Sequence, residues 1–572
     1  MNNIPRSEHP QPAFYRANWQ NLNGEWDFEI DTSNTGIDKK FFLPEKKFRE
    51  KIIVPFPPES KLSGIQNTDF MVSVWYRRKL KIPETWRKKR IFLHFGAVDF
   101  LANVWLNSYH IGSHIGGYTP FSFDITDFLN NENMLVVNAY DDNRTYLQPC
   151  GKQSQLYHSY GCYYTRVTGI WQTVYLEARP SNYIKHFRIY PDYDTGQVMF
   201  LVDIEGTGQL NIEIFAENEK ICETKTNGTG TLFSFCTIKN FIPWSTENPF
   251  IYKVKFTLNA GSDHQDVVFS YFGFRKIHIK GKKIFLNGKP IFMRMVLDQG
   301  YYPDGIYTAP SEQSLINDIK IAKQLGFNGA RLHQKIFEPL FLYHADRLGY
   351  LVWDEYPNWG IKQRASHEAS SVLINEWTDV INRDFNHPSV IGWCPLNETH
   401  KPQDNHLIRQ IYYMTKKFDP TRVVIDTSGY IHVETDIYDC HNYDQDPIKF
   451  AADFEPFKAK DIVWQNNPDV DAPYKGQPYW VSEYGGIWWD EKGVKQGWGY
   501  GTRPASKKEF LSRYKKLTEV LLNHPKICGF CYTQLYDVEQ EVNGLYTYER
   551  RPKFDPDIIR KINSKKAEIE KE

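Results

Sequence analysis

Glu398 closes the stretch "NHPSVIGWCPLNE" and Glu483 stands inside "YWVSEYGGIWWD", so each carboxylate meets an otherwise apolar or aromatic run. An ionised carboxylate is costly to bury alone, and a Glu in such a place needs a partner, a solvent-lined cavity or a chemical task. Two carboxyl groups facing each other across a pocket can cleave a glycosidic bond. One protonates the leaving oxygen, and the other attacks the anomeric carbon or activates water. The two residues are 85 positions apart (483 − 398), so only the fold can join them. Other polar side chains also end apolar runs: Arg331 and His333 in "NGARLH", Asp354 and Glu355 in "LVWDEYP", Asn397 beside Glu398, and His441 and Tyr443 after "DIYDC". A salt bridge at a rim is the competing reading for either Glu, and a hydrogen-bonded scaffold for either His.

These residues need elements that bring them to one place. From about residue 13 to 275 short apolar alternations are broken by turn residues, the texture of antiparallel β-sandwiches. One group ends near 180 and a second closes near 275, giving two sandwiches, 13–180 and 181–275, of ordinary size. After "KIFLNGKPIFMRM" the period changes. "SEQSLINDIKIAKQLGF" has apolar residues at helical spacing behind Ser311 as an N-cap, and helical and strand-like runs alternate from there on. With "PIFMRM" as the first, eight strand candidates fall within 276–572, the rhythm of a (β/α)₈ barrel. Periodicity does not close a barrel, and an open α/β sheet is the alternative. In a barrel the strand ends share one mouth. Arg331 and His333 then end strand two, Asp354 and Glu355 strand three, Asn397 and Glu398 strand four, His441 and Tyr443 strand six, and Glu483 strand seven. Asp298, after strand one, and Gln534 with Asp537, after strand eight, are further candidates. Asp354 and Glu355 fit scaffold better than chemistry, and the stretch "VLDQGYYPDG" around Asp298 also fits an ordered turn.

Composition removes several function classes. Lys plus Arg and Asp plus Glu are 69 each among 572 residues, so no global charge draws the chain to nucleic acid or an anionic membrane. The basic stretch "RRKLKIPETWRKKR" reads as a solvated hairpin. No apolar run approaches the roughly 18 to 20 residues that cross a bilayer. The N-terminal "MNNIPRSEHPQPAFYR" has no apolar segment of signal-peptide type, so the expected location is cytoplasmic, or exported with a signal already removed. Eight Cys do not read as a disulfide framework, and Cys528 and Cys531 lie in a β-prone run that points residues three apart to opposite faces. Neither metal nor redox chemistry is expected there. No HExxH, Walker A or G-x-G-x-x-G arrangement occurs, so no cofactor and no metal is expected.

"NHPSVIGWCPLNE" resembles the acid/base signature of glycoside hydrolase family 2, the family of β-galactosidases, β-glucuronidases and β-mannosidases. "NLNGEWDFEID", "TRVTGIWQTVYLE", "PWSTENPFIY", "IFLNGKPIFMRMVLDQGYYPDG", "VSEYGG" and "TQLYDVEQEVNGL" resemble further blocks of that family, in family order over about 13–555. The resemblance implies a jelly-roll sugar-binding domain, an immunoglobulin-like sandwich and a catalytic TIM barrel. It also implies that Glu398 is the general acid/base and Glu483 the nucleophile of a retaining exo-acting β-glycosidase, that Asn397 holds the sugar 2-hydroxyl, and that Trp488 helps to shape the sugar pocket. A terminal sugar of an oligosaccharide or glycoside is the implied partner, and a homo-oligomer stays open. Large β-galactosidases of the family carry a His-rich stretch after barrel strand one and an acidic residue near the segment that here reads "CYYTRVTGIW"; those contacts do not carry over. β-Glucuronidases grip the substrate carboxylate with Asn-x-Lys, whereas "EVNGLYTYERRPK" has Asn543 followed by Leu545. The implied glycone is therefore galactose or a related neutral sugar, with β-glucuronidase, β-mannosidase or arabinosidase activity as alternatives and, in a different class, a non-catalytic carbohydrate-binding protein. For a glucuronide, Arg550, Arg551 or Lys553 would have to supply the positive contact.

Overall fold

The computed structural model describes residues 4–261, 265–490 and 497–571. Alternating inward apolar residues build the N-terminal region as two facing antiparallel sheets, the expected jelly-roll sandwich. One sheet orders Glu50–Val54, Gly24–Ile30, Ser73–Leu80, Asn133–Tyr140, Leu101–Leu106 and Tyr109–Ile115. The other orders Trp19–Asn21, Val174–Arg179, Arg90–Phe95 and Phe121–Asp124. Leu135, Val137 and Ala139 from the first sheet meet Leu93, Phe95 and Leu176 from the second in one core. Between Tyr140 and Gly169 there is no regular strand. That irregular stretch leaves the sandwich and docks on the next-but-one domain, where the Cys150 N–H donates to Trp359 O at 2.6 Å.

The immunoglobulin-like sandwich contains Tyr183–Pro191, Gln197–Ala216, Glu219–Thr237, Tyr252–Asn259 and Gln265–Phe272, all antiparallel. Its central hairpin, 197–216 with 219–237, bends where Gly206 and Gly230 take φ of +77° and +70°, a left-handed conformation that suits glycine. The bend brings Cys222 and Cys236 to 6.8 Å between Cα atoms, and they form a disulfide. Sequence spacing did not indicate this bond, because it depends on a fold in the middle of two long strands. Cys528 and Cys531 are free and buried. Arg16 ties this sandwich to the first: it donates to Asp266 at 2.9 and 2.8 Å and to Glu177 at 2.9 Å, all three side chains being buried.

Eight parallel strands follow: β1 (Met293–Asp298), β2 (Gly329–Leu332), β3 (Leu351–Glu355), β4 (Val390–Cys394), β5 (Val423–Val424), β6 (Tyr438–Asn442), β7 (Tyr479–Gly485) and β8 (Ile527–Thr533). β1 pairs with both β2 and β8, so the eight strands follow one another in the cyclic order of a barrel, with the ladder interrupted between β5 and β6, and not in the order of the open-sheet alternative. Helices α1 (Glu312–Gln324), α2 (Pro339–Leu348), α3 (His367–Asp384), α4 (Asn405–Phe418), α5 (Pro447–Lys460), α6 (Lys507–Leu522) and α7 (Pro556–Asn563) surround it. α1 starts at Ser311, whose Oγ accepts the Ser314 N–H at 3.3 Å, as the sequence predicts. Inside the barrel the Trp353 and Trp480 rings lie 5.1 Å apart, and Gly392 on β4 makes room: a Cβ there would sit 2.4 Å from Trp353.

The β/α alternation is incomplete at one point. Among the described residues no helix lies between β5 and β6, and the strand ladder stops there. Side chains close the seam instead. Asp436 accepts from the Val424 N–H at 2.9 Å and from Lys416 Nζ at 2.8 Å, and Ser428 Oγ donates to Asp439 at 2.8 Å. Among the described residues no helix is long and apolar enough to cross a membrane.

Candidate active site

The C-terminal ends of β2, β3, β4, β6 and β7 converge at one mouth of the barrel. Arg331, 1% exposed, is the hub. Its Nη1 donates to Glu483 Oε1 at 2.6 Å, its Nε to Glu355 Oε2 at 2.5 Å and its Nη2 to Asn397 Oδ1 at 2.6 Å. The Tyr443 hydroxyl donates to Glu483 Oε2 and lies 2.9 Å from Thr533 Oγ1, while its ring stacks on Tyr500 at 3.5 Å. His441 stands between the two carboxyl groups, with Nδ1 2.7 Å from Glu398 Oε1 and Nε2 3.4 Å from Glu483 Oε1. One oxygen of Glu398, one ring nitrogen of His441 and one oxygen of Glu483 lie within 4.8 Å of one another. Glu398 has φ of +48°, an uncommon conformation for a residue other than glycine, and is pinned by its N–H to Ser428 O at 2.9 Å.

The two carboxyl groups have different surroundings. Burial opposes charge on Glu483, but His441 and Arg331, with the Tyr443 hydrogen bond, outweigh it and hold that carboxyl well below the usual carboxylate range. Burial also opposes charge on His441, and Glu483 and Glu398 overcome it, so the imidazole pKa rises. His333 goes the other way: burial, then the charges of Lys152 and Arg331, push its pKa down, and its Nδ1 lies 2.9 Å from Glu355 Oε1. Glu398, its side chain 16% exposed against 5% for Glu483, faces the opening. Glu398, His441 and Glu483 also have the ligand types for a cation, but Arg331 already brings a positive charge to that point.

The cavity above these groups holds about 370 Å³. Glu398, Glu483, His333, His441 and Tyr443 line it, as the strand-end argument expects. Arg331 and Asn397 sit one layer behind, and the buried Asn397 Nδ2 has no partner among the described residues. Asp298, Gln534 and Trp488 fall outside the lining. Asp298 accepts from the Tyr536 hydroxyl and, at 3.0 Å, from the Gly300 N–H; burial and Asp318 push its pKa up to about 6. Gln534 Oε1 accepts from Gln299 at 2.9 Å, and it is Gln299 that reaches the cavity. Trp488 packs on Gly499, where a Cβ would lie 2.5 Å from the Trp488 Cα.

The basic residues near the C-terminus are also engaged elsewhere. Arg550 binds Asp318 at 3.0 Å, Arg551 reaches Glu549 at 3.1 Å, and Lys553 binds Asp537 at 2.5 Å; none lines the cavity. Sequence reasoning missed Lys152, Cys162, Trp359, Tyr430 and Glu541, all of which do. Lys152 and Cys162 belong to the irregular stretch of the first domain. Burial opposes the Lys152 charge, but Cys162, Glu541, Glu398 and Glu483 sustain it, and its Nζ stands 4.2 Å over the Trp359 ring. Glu541 accepts from the Tyr164 hydroxyl at 2.6 Å and from Asn543 Nδ2 at 3.0 Å.

A jelly-roll sandwich, an immunoglobulin-like sandwich and a barrel with paired carboxyl groups at its C-terminal mouth define a multidomain glycosidase architecture. The chain matches the family models "Glycosyl hydrolases family 2, sugar binding domain" at 19–180, "Glycosyl hydrolases family 2" at 182–275 and "Glycosyl hydrolases family 2, TIM barrel domain" at 277–564. It belongs to glycosyl hydrolase family 2. Over 492 residues it is 27% identical to a β-galactosidase of Thermoanaerobacterium thermosulfurigenes, covering 81% of this chain and 64% of that one. Over 441 residues it is 24% identical to a β-glucuronidase of Streptococcus agalactiae, covering 71% of each. The chain thus spans just under two thirds of that galactosidase. A β-glucuronidase from Ruminococcus gnavus, solved with D-glucuronic acid, shares the fold with a TM-score of 0.81 at 19% identity, over 97% of this chain and 99% of that one.

Proposed function

We propose that this protein removes the terminal sugar of β-glycosides with retention of anomeric configuration, and that its glycone is a neutral sugar of the galactose type. One observation carries the reading: Glu398 and Glu483 present oxygens within 4.8 Å across one cavity, and only Glu483 is cradled by Arg331 and Tyr443. Such a separation suits direct attack, since retaining pairs stand about 5–5.5 Å apart and inverting pairs need roughly 6.5–9.5 Å to admit water. The ionised Glu483 attacks the anomeric carbon, and the bond to the leaving oxygen breaks as that oxygen takes the proton shared by Glu398 and His441. A glycosyl ester forms on Glu483. Glu398 then takes a proton from water, the resulting hydroxide attacks the same carbon, and the Glu483 carboxylate leaves. The unpaired Nδ2 of Asn397, which Arg331 holds behind the cavity wall, is assigned to the sugar 2-hydroxyl because a buried unpaired donor needs a partner. A cavity of this size, near the lower end of ligand pockets, suits one terminal sugar and thus exo action.

The neutral glycone is favoured because a uronate would enter a cavity that already contains Glu398, Glu483 and Glu541. A β-glucuronide is the second reading, and Lys152, a buried cation in the same wall, is what favours it. Rates on nitrophenyl β-galactoside, β-glucuronide, β-mannoside, β-glucoside and α-L-arabinoside separate these readings. Glu483→Gln should abolish turnover with folding intact. Glu398→Ala should slow glycosides with poor leaving groups far more than activated aryl glycosides. An equal loss on both kinds of substrate defeats the acid role of Glu398, and transfer to a sugar acceptor in excess of hydrolysis would make the protein a transglycosylase.

A further inference from the structure

The acid side of the cavity does not end at Glu398. Tyr430 lines the cavity beside it, and the Glu398 charge is the first cause, ahead of burial, of a raised Tyr430 pKa. Trp359 lines the same wall. The Tyr163 ring tilts against Trp359 at 5.3 Å and stacks on Tyr160 at 5.0 Å with 23° between planes. Tyr160 is 39% exposed and Tyr146, with Lys362 Nζ 4.9 Å from its ring centroid, is 45% exposed. Trp359, Tyr163 and Tyr160 thus form a run of ring contacts from the cavity lining to an exposed face, and Tyr160, its pKa raised by burial and Cys162, has Tyr146 near enough to raise it further. Three of them, Tyr146, Tyr160 and Tyr163, come from the irregular stretch of the jelly-roll domain. The stretch is fixed there, since Trp498 and Gln540 donate to Gly161 O at 2.5 and 2.8 Å, and Gln540 donates also to Tyr163 O at 2.9 Å.

Glu398 hands its proton to the leaving oxygen, so the leaving group must depart past this acid and across these rings. Glu483 and Arg331 occupy the opposite, closed side. Exposed tyrosine faces offer little to a flexible alkyl chain or an ion, but they stack on flat rings and on the C–H face of a pyranose. We propose that Tyr146, Tyr160 and Tyr163, with Trp359 and Tyr430, form a binding platform for ring-bearing leaving groups, either an aryl group or a second pyranose. This rests on the retaining-glycosidase reading above. The platform grips the departing half of the substrate and leaves the glycone to the cavity, so its contribution scales with the ring on the leaving side.

The test uses the full-length protein and three substrates with the glycone that the nitrophenyl panel identifies: the phenyl β-glycoside, a β-linked disaccharide and the β-glycosyl fluoride, whose leaving group has no ring. In Tyr160→Ala and Tyr146→Ala, kcat/KM for the phenyl glycoside or the disaccharide, divided by that for the fluoride, should fall about 3- to 10-fold, mainly through KM. Tyr160→Phe, which keeps the ring, should restore the ratio. The larger of the two losses identifies the natural source of the ring. A ratio that stays constant in both alanine variants, whether the rates themselves fall or not, overturns the platform. Failure of the wild-type protein to cleave any glycoside overturns the glycosidase reading and the platform with it, and is told apart because it appears before any variant is made.

Discussion

Tyr443→Phe isolates what keeps Glu483 charged. The ring of Tyr443 lies flat on Tyr500 at 3.5 Å, so phenylalanine can take the same position with only the hydroxyl lost. That hydroxyl donates to Glu483 Oε2, while Arg331 Nη1 at 2.6 Å and His441 Nε2 at 3.4 Å approach Oε1 and remain. A hydrogen bond to a charged group contributes roughly 1.5–3 kcal/mol. At about 1.4 kcal/mol per pH unit, its loss should raise the Glu483 pKa by about 1 to 2 units. In the wild type this carboxyl sits well below the usual range, so its protonation lies at the edge of the accessible acid range. In the variant the acid limb of kcat/KM should move to higher pH by that amount. The alkaline limb should stay, because Glu483 is ionised there in both proteins. The assay is the pH profile of kcat/KM on a nitrophenyl glycoside, with circular dichroism confirming the fold at each pH. An unmoved acid limb with a raised KM would show that Tyr443 touches sugar without tuning the carboxylate, and the electrostatic argument would fail.

Arg16→Ala takes the buried cation from Asp266 and leaves Glu177 with Arg179 alone, which should cost roughly 3–5 kcal/mol in denaturant unfolding; a cost under about 1 kcal/mol would mean that the junction does not depend on this cation. Burial opposes charge on Glu177, but Arg16 and Arg179 draw its pKa down to about 2, below its unfolded value near 4.5. Its stabilisation is thus complete above about pH 4.5 and is lost as pH falls toward 2, and the acid unfolding midpoint should shift upward in Arg16→Ala. Gly151→Ala would set a Cβ 2.1 Å from Gln334 O at φ of +56°, lifting Lys152 and Cys162 from the cavity wall. A displacement of that order should lower kcat/KM on the order of 100-fold; unchanged kinetics would remove the first domain from the site.

The carboxyl pair was legible because a strand in a parallel barrel presents its last residues at a shared mouth, and that rule needs only the order of the apolar runs. The same rule placed Asp298 and Gln534 at the rim but not the direction of their side chains: Asp298 turns to Tyr536 and Gly300, and Gln534 to Gln299. Rim position follows from strand order, whereas orientation follows from the neighbours met on folding. Lys152, Cys162 and Glu541 had no signal, because they lie on stretches without period, and two of them arrive from another domain. The missing helix between β5 and β6 left no mark either, since "RVVIDTSG" and "DIYDC" are acceptable strands whether or not a helix joins them.

The docking of residues 141–168 on the barrel has an evolutionary reading. Bond cleavage is vested in strands whose geometry tolerates little change, but part of the wall that a substrate meets is loaned by a stretch with no ladder to maintain. Preference can therefore drift there by substitution or insertion while the cleaving apparatus stays intact. A chimera that exchanges only this stretch between relatives would transplant their appetites, whereas the isolated barrel would be an engine without its gate.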